Sequence, residues 1–362
     1  MSRPAILFFN INGTGLGHLS TCLAYAHRLR DDARPIFFSL ASAVEKIHDM
    51  GFEADYLVSP AWSRAANWHW NRQLSQRLGL LLERTRPKVL VFDGTWPFRG
   101  LLHAVAAHGV PRIVWSNLLL YKQGVRPVPV NESDFDLVIR LGEIGDSFTV
   151  ERDERPGRRV KVPPVTLLRD DELLARDEAR AALGLDRDGR YALFSLGPGN
   201  LKDVADIGRG LIDDIKGRGF TVVWTRAPIS VRDVPLPDDV VPIAVYPLAR
   251  YMRAFDLFVG AAGYNTCCEV LQSRVPTLFV PNTLVVDDQT RRAQRVAESV
   301  PSVVSSCETA VERARAVARL LERMDAATAE PSPSRPPLYG RFDLSGAERA
   351  AEEIRALLDA ND

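Results

Sequence analysis

A histidine follows a glycine-rich loop near the start of the chain, where it could act as a general base. Gly13, Thr14, Gly15 and Gly17 separate a short apolar run from an amphipathic stretch that begins at His18. Glycines between a strand and a helix let backbone N–H groups approach a ligand closely. Because imidazole titrates near neutrality, a histidine at that helix start can take a proton from an attacking hydroxyl. The alternative is a histidine that only hydrogen-bonds nearby backbone.

The spacing of these glycines argues against a dinucleotide site. Such sites carry Gly-x-Gly-x-x-Gly and an acidic residue about 20 positions on, at the end of the second strand. Here the third glycine comes one place early, and the second predicted strand ends at Ser39-Leu40 without an acid. A nicotinamide-dependent dehydrogenase is therefore not expected.

A carboxylate at the end of another strand is a candidate partner for this histidine. Asp93 ends the apolar run Val89–Phe92 and is followed by Gly94. Strand ends of a parallel sheet face a common crevice, so Asp93 should point toward the same space as His18. There it would fix the imidazole tautomer and stabilise the imidazolium formed on proton uptake. A turn-forming Asp before Gly is an equally good interpretation.

The second half of the chain carries a pattern suited to a nucleotide. The strand Leu257–Val259 runs into a loop with two glycines, in which Gly263 is followed by Asn265 and Thr266. Either of these two suits a helix N-cap, and the free N–H groups and dipole of such a helix end favour phosphate. Glu269 lies one helical turn further on the same face, where its carboxylate can accept hydrogen bonds from both hydroxyls of a ribose.

Two polar residues follow the next predicted strand. Asp288 and Gln289 come after a strand bracketed by Pro276 and Pro281, and their acceptors and donors suit the hydroxyls of a sugar. The alternative for the whole segment from Gly263 is an ordinary strand–turn–helix corner without a ligand.

The elements that must position these residues form two similar α/β halves. Continuous apolar runs alternate with amphipathic ones, which predicts parallel, doubly wound sheets. The predicted strands are Ala5–Asn10, Pro35–Leu40, Val89–Asp93, Pro111–Trp115, Leu137–Ile139, Tyr191–Leu196, Thr221–Thr225, Val240–Ala244, Leu257–Gly260 and Thr277–Val280. The predicted helices are His18–Arg30, Gly100–His108, Val204–Lys216, Asn265–Gln272 and Ser345–Leu358.

We expect three segments along the chain. An N-terminal domain covers residues 1–166, a C-terminal domain covers 167–340, and a final helix lies within 341–362. The segment Glu330–Pro337 is rich in Pro and Ser and is typical of a linker. At the start of the final helix, Ser345 and Glu348 have the spacing of a capping box.

Composition excludes several classes of protein. The formal net charge is zero, so a general nucleic-acid binder is not expected. No stretch reaches the roughly 20 apolar residues of a membrane span, and the first residues do not have the pattern of a signal peptide. The four cysteines form no Cys-x-x-Cys pair and are expected to be reduced thiols of a cytoplasmic protein.

The two motifs together resemble the GT-B glycosyltransferases, in particular the UDP-glycosyltransferase superfamily and its peptidoglycan N-acetylglucosaminyltransferases, which act on a lipid-linked acceptor. Members of that superfamily carry a Gly-rich loop ending in His, matched here by Gly13–His18. They also carry Gly-x-Asn-Ser/Thr-x-x-Glu, then prolines, then Asp/Glu-Gln. The matching residues are Gly263, Asn265, Thr266, Glu269, Pro276, Pro281, Asp288 and Gln289.

The resemblance implies a fold and a role for each of the two domains. Two Rossmann-like domains would have parallel sheets facing a central cleft, and the C-terminal helix would cross back onto the N-terminal domain. The C-terminal domain would bind the nucleotide sugar, with Glu269 on the ribose, Asn265 and Thr266 at the diphosphate, and Asp288 and Gln289 at the donor sugar. The N-terminal domain would hold the acceptor, with the Gly13–Gly17 loop beside it, His18 as base and Asp93 as the partner of His18.

A second loop is similar to the diphosphate-facing loop of the superfamily. It follows the first strand of the second half and contains Ser195, Gly197 and Asn200. Many relatives also have a histidine just before the glycine pair, and this chain has Ala261 there. Ser195, Asn200 or Arg226 would compensate at the diphosphate.

The resemblance implies an inverting transfer from a UDP- or dTDP-linked sugar to a hydroxyl or amine of a small-molecule or lipid-linked acceptor. No Asp-x-Asp motif follows a predicted strand, and neither an essential metal nor another cofactor is expected. Peripheral membrane contact and the oligomeric state are left open. Two alternatives are a non-hydrolysing sugar-nucleotide epimerase on the same fold and a catalytically silent relative that activates a partner enzyme.

Overall fold

A computed structural model describes residues 3–12, 15–118, 131–146, 158–196, 204–226, 228–229, 236–282, 287–329 and 342–360. These residues form two compact units. Unit 1 contains the described residues up to Leu167 together with those from Leu344 on, and unit 2 contains those from Leu168 to Asp343.

Each unit is built on one parallel sheet. The seven strands of unit 1 are β1 (Ala5–Asn10), β2 (Arg34–Ser39), β3 (Glu53–Tyr56), β4 (Val89–Asp93), β5 (Arg112–Asn117), β6 (Leu137–Leu141) and β7 (Arg158–Val162). The six of unit 2 are β8 (Tyr191–Ser195), β9 (Thr221–Thr225), β10 (Val241–Ile243), β11 (Leu257–Gly260), β12 (Thr277–Phe279) and β13 (Ser302–Val304). The predicted α/β class with two parallel sheets is confirmed.

The strand orders are those of Rossmann-like sheets. Unit 1 has the order β3-β2-β1-β4-β5-β6-β7, and unit 2 has β10-β9-β8-β11-β12-β13. In both sheets the order reverses beside the first strand, between β1 and β4 and between β8 and β11. Ligands of open α/β sheets bind outside the carboxyl ends of the strands at such a reversal.

The helices follow the strands in sequence. They are α1 (Gly17–Leu29), α2 (Glu45–Asp49), α3 (Pro60–Ser63), α4 (Asn67–Thr85), α5 (Arg99–His108), α6 (Arg176–Leu183), α7 (Val204–Lys216), α8 (Tyr264–Ser273), α9 (Gln289–Val296), α10 (Ala310–Ala329) and α11 (Gly346–Asp359). Short 3₁₀ turns occur at Glu132–Asp134, Asp170–Glu172 and Leu248–Ala254.

Burial explains why the apolar runs became strands. All six residues of β1 and all five of β4 are buried, as expected for central strands of a sheet covered on both faces. Trp70 of α4 is fully buried, donates from Nε1 to the Val58 carbonyl at 2.8 Å, and packs edge-on against Phe98 with ring centroids 4.8 Å apart.

The final helix packs within unit 1. Helix α11 contacts α1, and Ala347, Ala350 and Ile354 are buried. The predicted capping box at its start is wrong, because the Ser345 side chain makes no capping hydrogen bond. Glu348 instead accepts from Arg28 Nε at 2.9 Å, and a buried guanidinium needs a charged partner. The predicted linker Glu330–Pro337 lies outside the described residues.

Candidate active site

The carboxyl end of the central strands in unit 1 brings the predicted histidine and carboxylate together. Strands β1 and β4 are neighbours, with Asn10 paired to Asp93, so the loop after β1 lies beside Asp93. Helix α1 begins at Gly17 and presents His18 to that carboxylate. Nδ1 of His18 is 2.6 Å from Oδ1 of Asp93.

The contact with the Asp93 carboxylate gives the two imidazole nitrogens of His18 different roles. Asp93 is 2% exposed and can only accept hydrogen bonds as a carboxylate. In a neutral imidazole this contact places the proton on Nδ1 and leaves the lone pair on Nε2. The side chain of His18 is 25% exposed. This arrangement can remove a proton from a group that approaches Nε2, and Asp93 stabilises the imidazolium that results.

The glycines before His18 leave open space. A Cβ added at Gly15 or Gly17 would have no other heavy atom within 4 Å. No described residue therefore lies close enough to require glycine at these two positions. The open space beside them would let a ligand approach the backbone. Gly13 and Thr14 lie outside the described residues.

In unit 2 the equivalent reversal brings together the start of α8 and the end of β8. Gly260 pairs with Ser195, and the Ala261 N–H donates to the Ser195 carbonyl at 3.2 Å. Arg226 directly follows β9, the other neighbour of β8, and is exposed. Ser195, Arg226 and the α8 N-terminus therefore come from three adjacent strands at one edge of the sheet. Gly197 and Asn200 lie outside the described residues.

The prediction that Asn265 or Thr266 caps α8 is wrong. The N-cap is Gly263, with extended backbone angles of φ −60° and ψ 157°, and the helix begins one residue earlier at Tyr264. The Arg292 guanidinium lies 5.6 Å from the centroid of the Tyr264 ring. Asn265 and Thr266 are thus first-turn residues, and the first-turn N–H groups of a helix have no partner within it.

Glu269 is a partly buried carboxyl group on α8. Desolvation raises the pKa of its carboxyl from 4.5 to about 7. Within the described part of the chain, no hydrogen-bond donor or cation contacts this carboxyl to offset the cost of burying it. A buried polar group without a partner is costly, so Glu269 is a strong candidate for contact with a ligand.

Asp288 and Gln289 are largely engaged in local structure. Asp288 is the N-cap of α9, and its Oδ1 accepts from the Arg291 N–H at 3.2 Å. Gln289 is 5% exposed. Its Oε1 accepts from the Asn282 N–H at 2.9 Å, and its Nε2 donates to Asp287 Oδ2 at 3.1 Å. Through Gln289, the start of α9 is thus joined to Asn282, which follows β12.

Arg292 is a structural centre of unit 2 that sequence reasoning missed. Its side chain is 0% exposed. Nη2 lies 2.7 Å from Asp287 Oδ1, and Nη1 donates to the Ala262 carbonyl at 3.0 Å. Arg292 thereby ties α9 to the loop that precedes α8. The charged run Thr290–Arg295 is typical of a solvated helix face, so the sequence carries no signal for its burial.

The described residues also bear on metal binding and on membrane spanning. None of these residues form a group of three or more His, Cys, Asp or Glu side chains that could hold a metal ion. Among the described helices, none is both long and apolar enough to span a bilayer.

Comparisons with known proteins show similarity to glycosyltransferases. Residues 233–332, which contain the Gly263–Gln289 segment, match the glycosyltransferase family 28 C-terminal domain. The UDP-N-acetylglucosamine–N-acetylmuramyl-(pentapeptide) pyrophosphoryl-undecaprenol N-acetylglucosamine transferase of Corynebacterium efficiens is 26% identical over 282 residues, which cover 74% of this chain and 75% of that protein.

Solved structures of glycosyltransferases share the fold over nearly the whole chain. Spinosyn forosaminyltransferase SpnP has a TM-score of 0.63 and 17% identity, covering 98% of this chain and 100% of its own. Glycosyltransferase VinC in complex with DTDP has a TM-score of 0.59 and 18% identity, with coverage of 98% and 100%.

Proposed function

We propose that this chain, a GT-B glycosyltransferase of the UDP-glycosyltransferase superfamily that uses a nucleotide sugar, inverts the anomeric centre as it transfers the sugar. In this proposal His18 removes the proton of an acceptor hydroxyl or amine, which attacks the anomeric carbon. The single observation that carries the proposal is the 2.6 Å contact between His18 and Asp93, which leaves Nε2 as a base.

The donor would bind to unit 2. Glu269 would accept hydrogen bonds from the ribose hydroxyls, and the N-terminus of α8 would face the diphosphate. The leaving diphosphate would be stabilised by these N–H groups and by Ser195 and Arg226, without an essential metal. Asp288 and Gln289, at the start of α9, would lie at the donor sugar.

Relatives support two donor nucleotides. The Corynebacterium efficiens protein is named for UDP-N-acetylglucosamine, and VinC was solved with DTDP. We propose a UDP- or dTDP-linked donor for this chain. Thermal unfolding with UDP and with dTDP distinguishes them, because a ligand that binds only the folded state raises its apparent stability. The Glu269→Ala variant should lose the shift, whereas Glu178→Ala on α6 should keep it.

The acceptor would be a small molecule or a lipid-linked molecule with an apolar or aromatic part. Trp62, Trp68 and Trp96 are 56%, 70% and 38% exposed, and all three follow the carboxyl ends of β3 or β4 in sequence. Trp68 lies in the first turn of α4 and is exposed, whereas Trp70 of the same helix is buried. Exposed indoles can stack on sugar or aglycone rings or enter a membrane surface. We place the protein in the cytoplasm because its four cysteines, all among the described residues, are buried and form no disulfide with one another.

The test is release of UDP from UDP-N-acetylglucosamine with undecaprenyl-pyrophosphoryl N-acetylmuramyl pentapeptide as acceptor, and of dTDP from dTDP-sugars with aromatic alcohols. His18→Ala should lower kcat by about 10²- to 10⁴-fold, the usual contribution of a general base. Asp93→Asn should lower it by at least about 10²-fold because the imidazole loses its orienting charge.

The control is His27→Ala, a histidine at the other end of the same helix, which should keep full activity. An unchanged rate in His18→Ala would refute the base assignment. Conversion of the donor without any acceptor would instead indicate an epimerase, and nucleotide binding without any turnover would indicate a silent binding protein.

A further inference from the structure

Two buried hydroxyl groups extend the contact between His18 and Asp93 into the interior of unit 1. Ser116 Oγ donates to Asp93 Oδ2 at 2.6 Å, and the Tyr25 hydroxyl lies 3.1 Å from Ser116 Oγ. Ser116 and Tyr25 are both 0% exposed. We propose that Ser116 and Tyr25 are positioning residues, which hold the Asp93 carboxylate so that its other oxygen receives the Nδ1 proton of His18. This inference rests on the proposed role of His18 as base.

The number of protons fixes the direction of these hydrogen bonds. A serine hydroxyl has one proton, and Ser116 commits it to Asp93. The Tyr25 hydroxyl must therefore donate to Ser116. Burial raises the pKa of Tyr25 well above its ordinary value, so the phenol keeps the proton that it donates. Each donor polarises the next one, which strengthens the hydrogen bond that reaches the carboxylate.

The backbone holds the four side chains as a closed ring. Asp93 on β4 and Ser116 on β5 are direct register partners. His18 and Tyr25 lie seven residues apart on α1, two helical turns along one face. The helix is thus attached to the two strands at both of these positions, so the Asp93 carboxylate and the imidazole cannot rotate independently of the sheet.

The Cys22 thiol and the Arg28 guanidinium are other titratable groups on α1. Cys22 lies on α1 between His18 and Tyr25, and burial together with the Asp93 charge raises the pKa of its thiol. Arg28, further along the same helix, is paired with Glu348 of α11. A change in the hydrogen bonds of Asp93 should therefore alter chiefly the proton affinity of His18.

Among the described side chains, His18 and Ser116 donate to the Asp93 carboxylate, which is 2% exposed, and loss of the Ser116 hydroxyl removes one of them. The carboxylate then accepts more strongly from the imidazolium, so His18 should hold its proton to a higher pH. Ser116→Ala should raise the titration midpoint of His18 by about 0.5 pH units, roughly a threefold change in proton affinity. Tyr25→Phe should cause a smaller shift in the same direction.

The experiment follows the His18 ring by ¹H–¹⁵N NMR in the full-length chain, with the signal assigned by its loss in His18→Ala. The pH profile of kcat/KM for nucleoside diphosphate release is recorded in parallel. Ser116→Thr restores a hydroxyl and should restore the wild-type midpoint. The matched control is Ser39→Ala, a serine that is also 0% exposed at the carboxyl end of β2 but bonds Asn10 and not Asp93. It should leave the midpoint unchanged.

Wild-type titration of His18 in both Ser116→Ala and Tyr25→Phe would overturn the inference, whatever the activity. If Ser116→Ala does not fold, Tyr25→Phe decides, because it keeps the ring and loses only the hydroxyl. A protein that shows no transfer but whose His18 midpoint moves in these variants would refute the proposed function and support the positioning network.

Discussion

The partly buried carboxyl of Glu269 predicts an unusual dependence of stability on pH. Its pKa is about 7 in the folded chain, against an ordinary value of 4.5. The folded state therefore binds this proton more tightly than the unfolded state does. The contribution of Glu269 is fully favourable below pH 4.5 and is lost as pH rises toward 7, because the folded chain must then carry a desolvated charge.

The structure gives the size of this effect. The two pKa values differ by about 2.5 pH units, and each unit corresponds to about 1.4 kcal/mol. Ionised Glu269 thus lowers the free energy of unfolding by roughly 3 kcal/mol above pH 7. Glu269→Gln keeps the shape of the side chain and cannot ionise. It should therefore be more stable than the wild type by up to about 3 kcal/mol at pH 8, and by much less at pH 5.

Urea denaturation of both proteins at intervals from pH 5 to 8 measures this difference. The difference should grow with pH up to about 7 and then level off. Glu312→Gln is the control, since hydrogen bonds lower the pKa of Glu312. Its effect should have the opposite sign, with stability lost near neutral pH. A constant difference between wild type and Glu269→Gln across the range would show that Glu269 ionises in the folded state as it does in water.

Two further substitutions, one in each unit, test the packing of the protein interior. In unit 1, a Cβ on Gly346 would lie 2.0 Å from the Pro163 carbonyl oxygen, so Gly346→Ala should cost about 1–3 kcal/mol in urea denaturation. Gly217→Ala, whose Cβ would lie 3.4 Å from the nearest heavy atom, should cost far less. In unit 2, Arg292→Met leaves Asp287 without its cation, and calorimetry should show a loss of about 3–5 kcal/mol. A loss below 1 kcal/mol would mean that the buried pair adds little.

The central strands could be predicted because burial on both faces leaves a continuous apolar run. Ala5–Asn10, Val89–Asp93 and Leu257–Gly260 have the predicted bounds. Strands β3, β7 and β13 were missed. Glu53–Tyr56 and Arg158–Val162 are largely polar and lack such a run, and Ser302–Val304 is only three residues long. All three are edge strands, where one side of the backbone has no partner strand and polar residues are tolerated.

The candidate site was predictable where it depends on chain order alone. His18 and Asp93 follow strands that a Rossmann-like order makes neighbours, so their approach could be expected. Ser116 could not be found in this way, because its role depends on the register between β4 and β5. Arg292 could not be found either, since only the packing of α9 shows that its guanidinium is enclosed. The N-cap of α8 was misplaced because Gly263 caps through its backbone conformation, without a side-chain signal.

The packing of α11 on α1 has a consequence for synthesis. Unit 1 starts the chain, yet the helix that covers α1 is made only after residues 168–343 of unit 2. At roughly 5–20 residues per second, this interval lasts on the order of 10–35 s. During that time the guanidinium of Arg28 lacks its partner Glu348. The apolar face of α1 that α11 later covers is exposed and accessible to chaperones. Translation therefore begins unit 1 first and supplies its last helix only after unit 2.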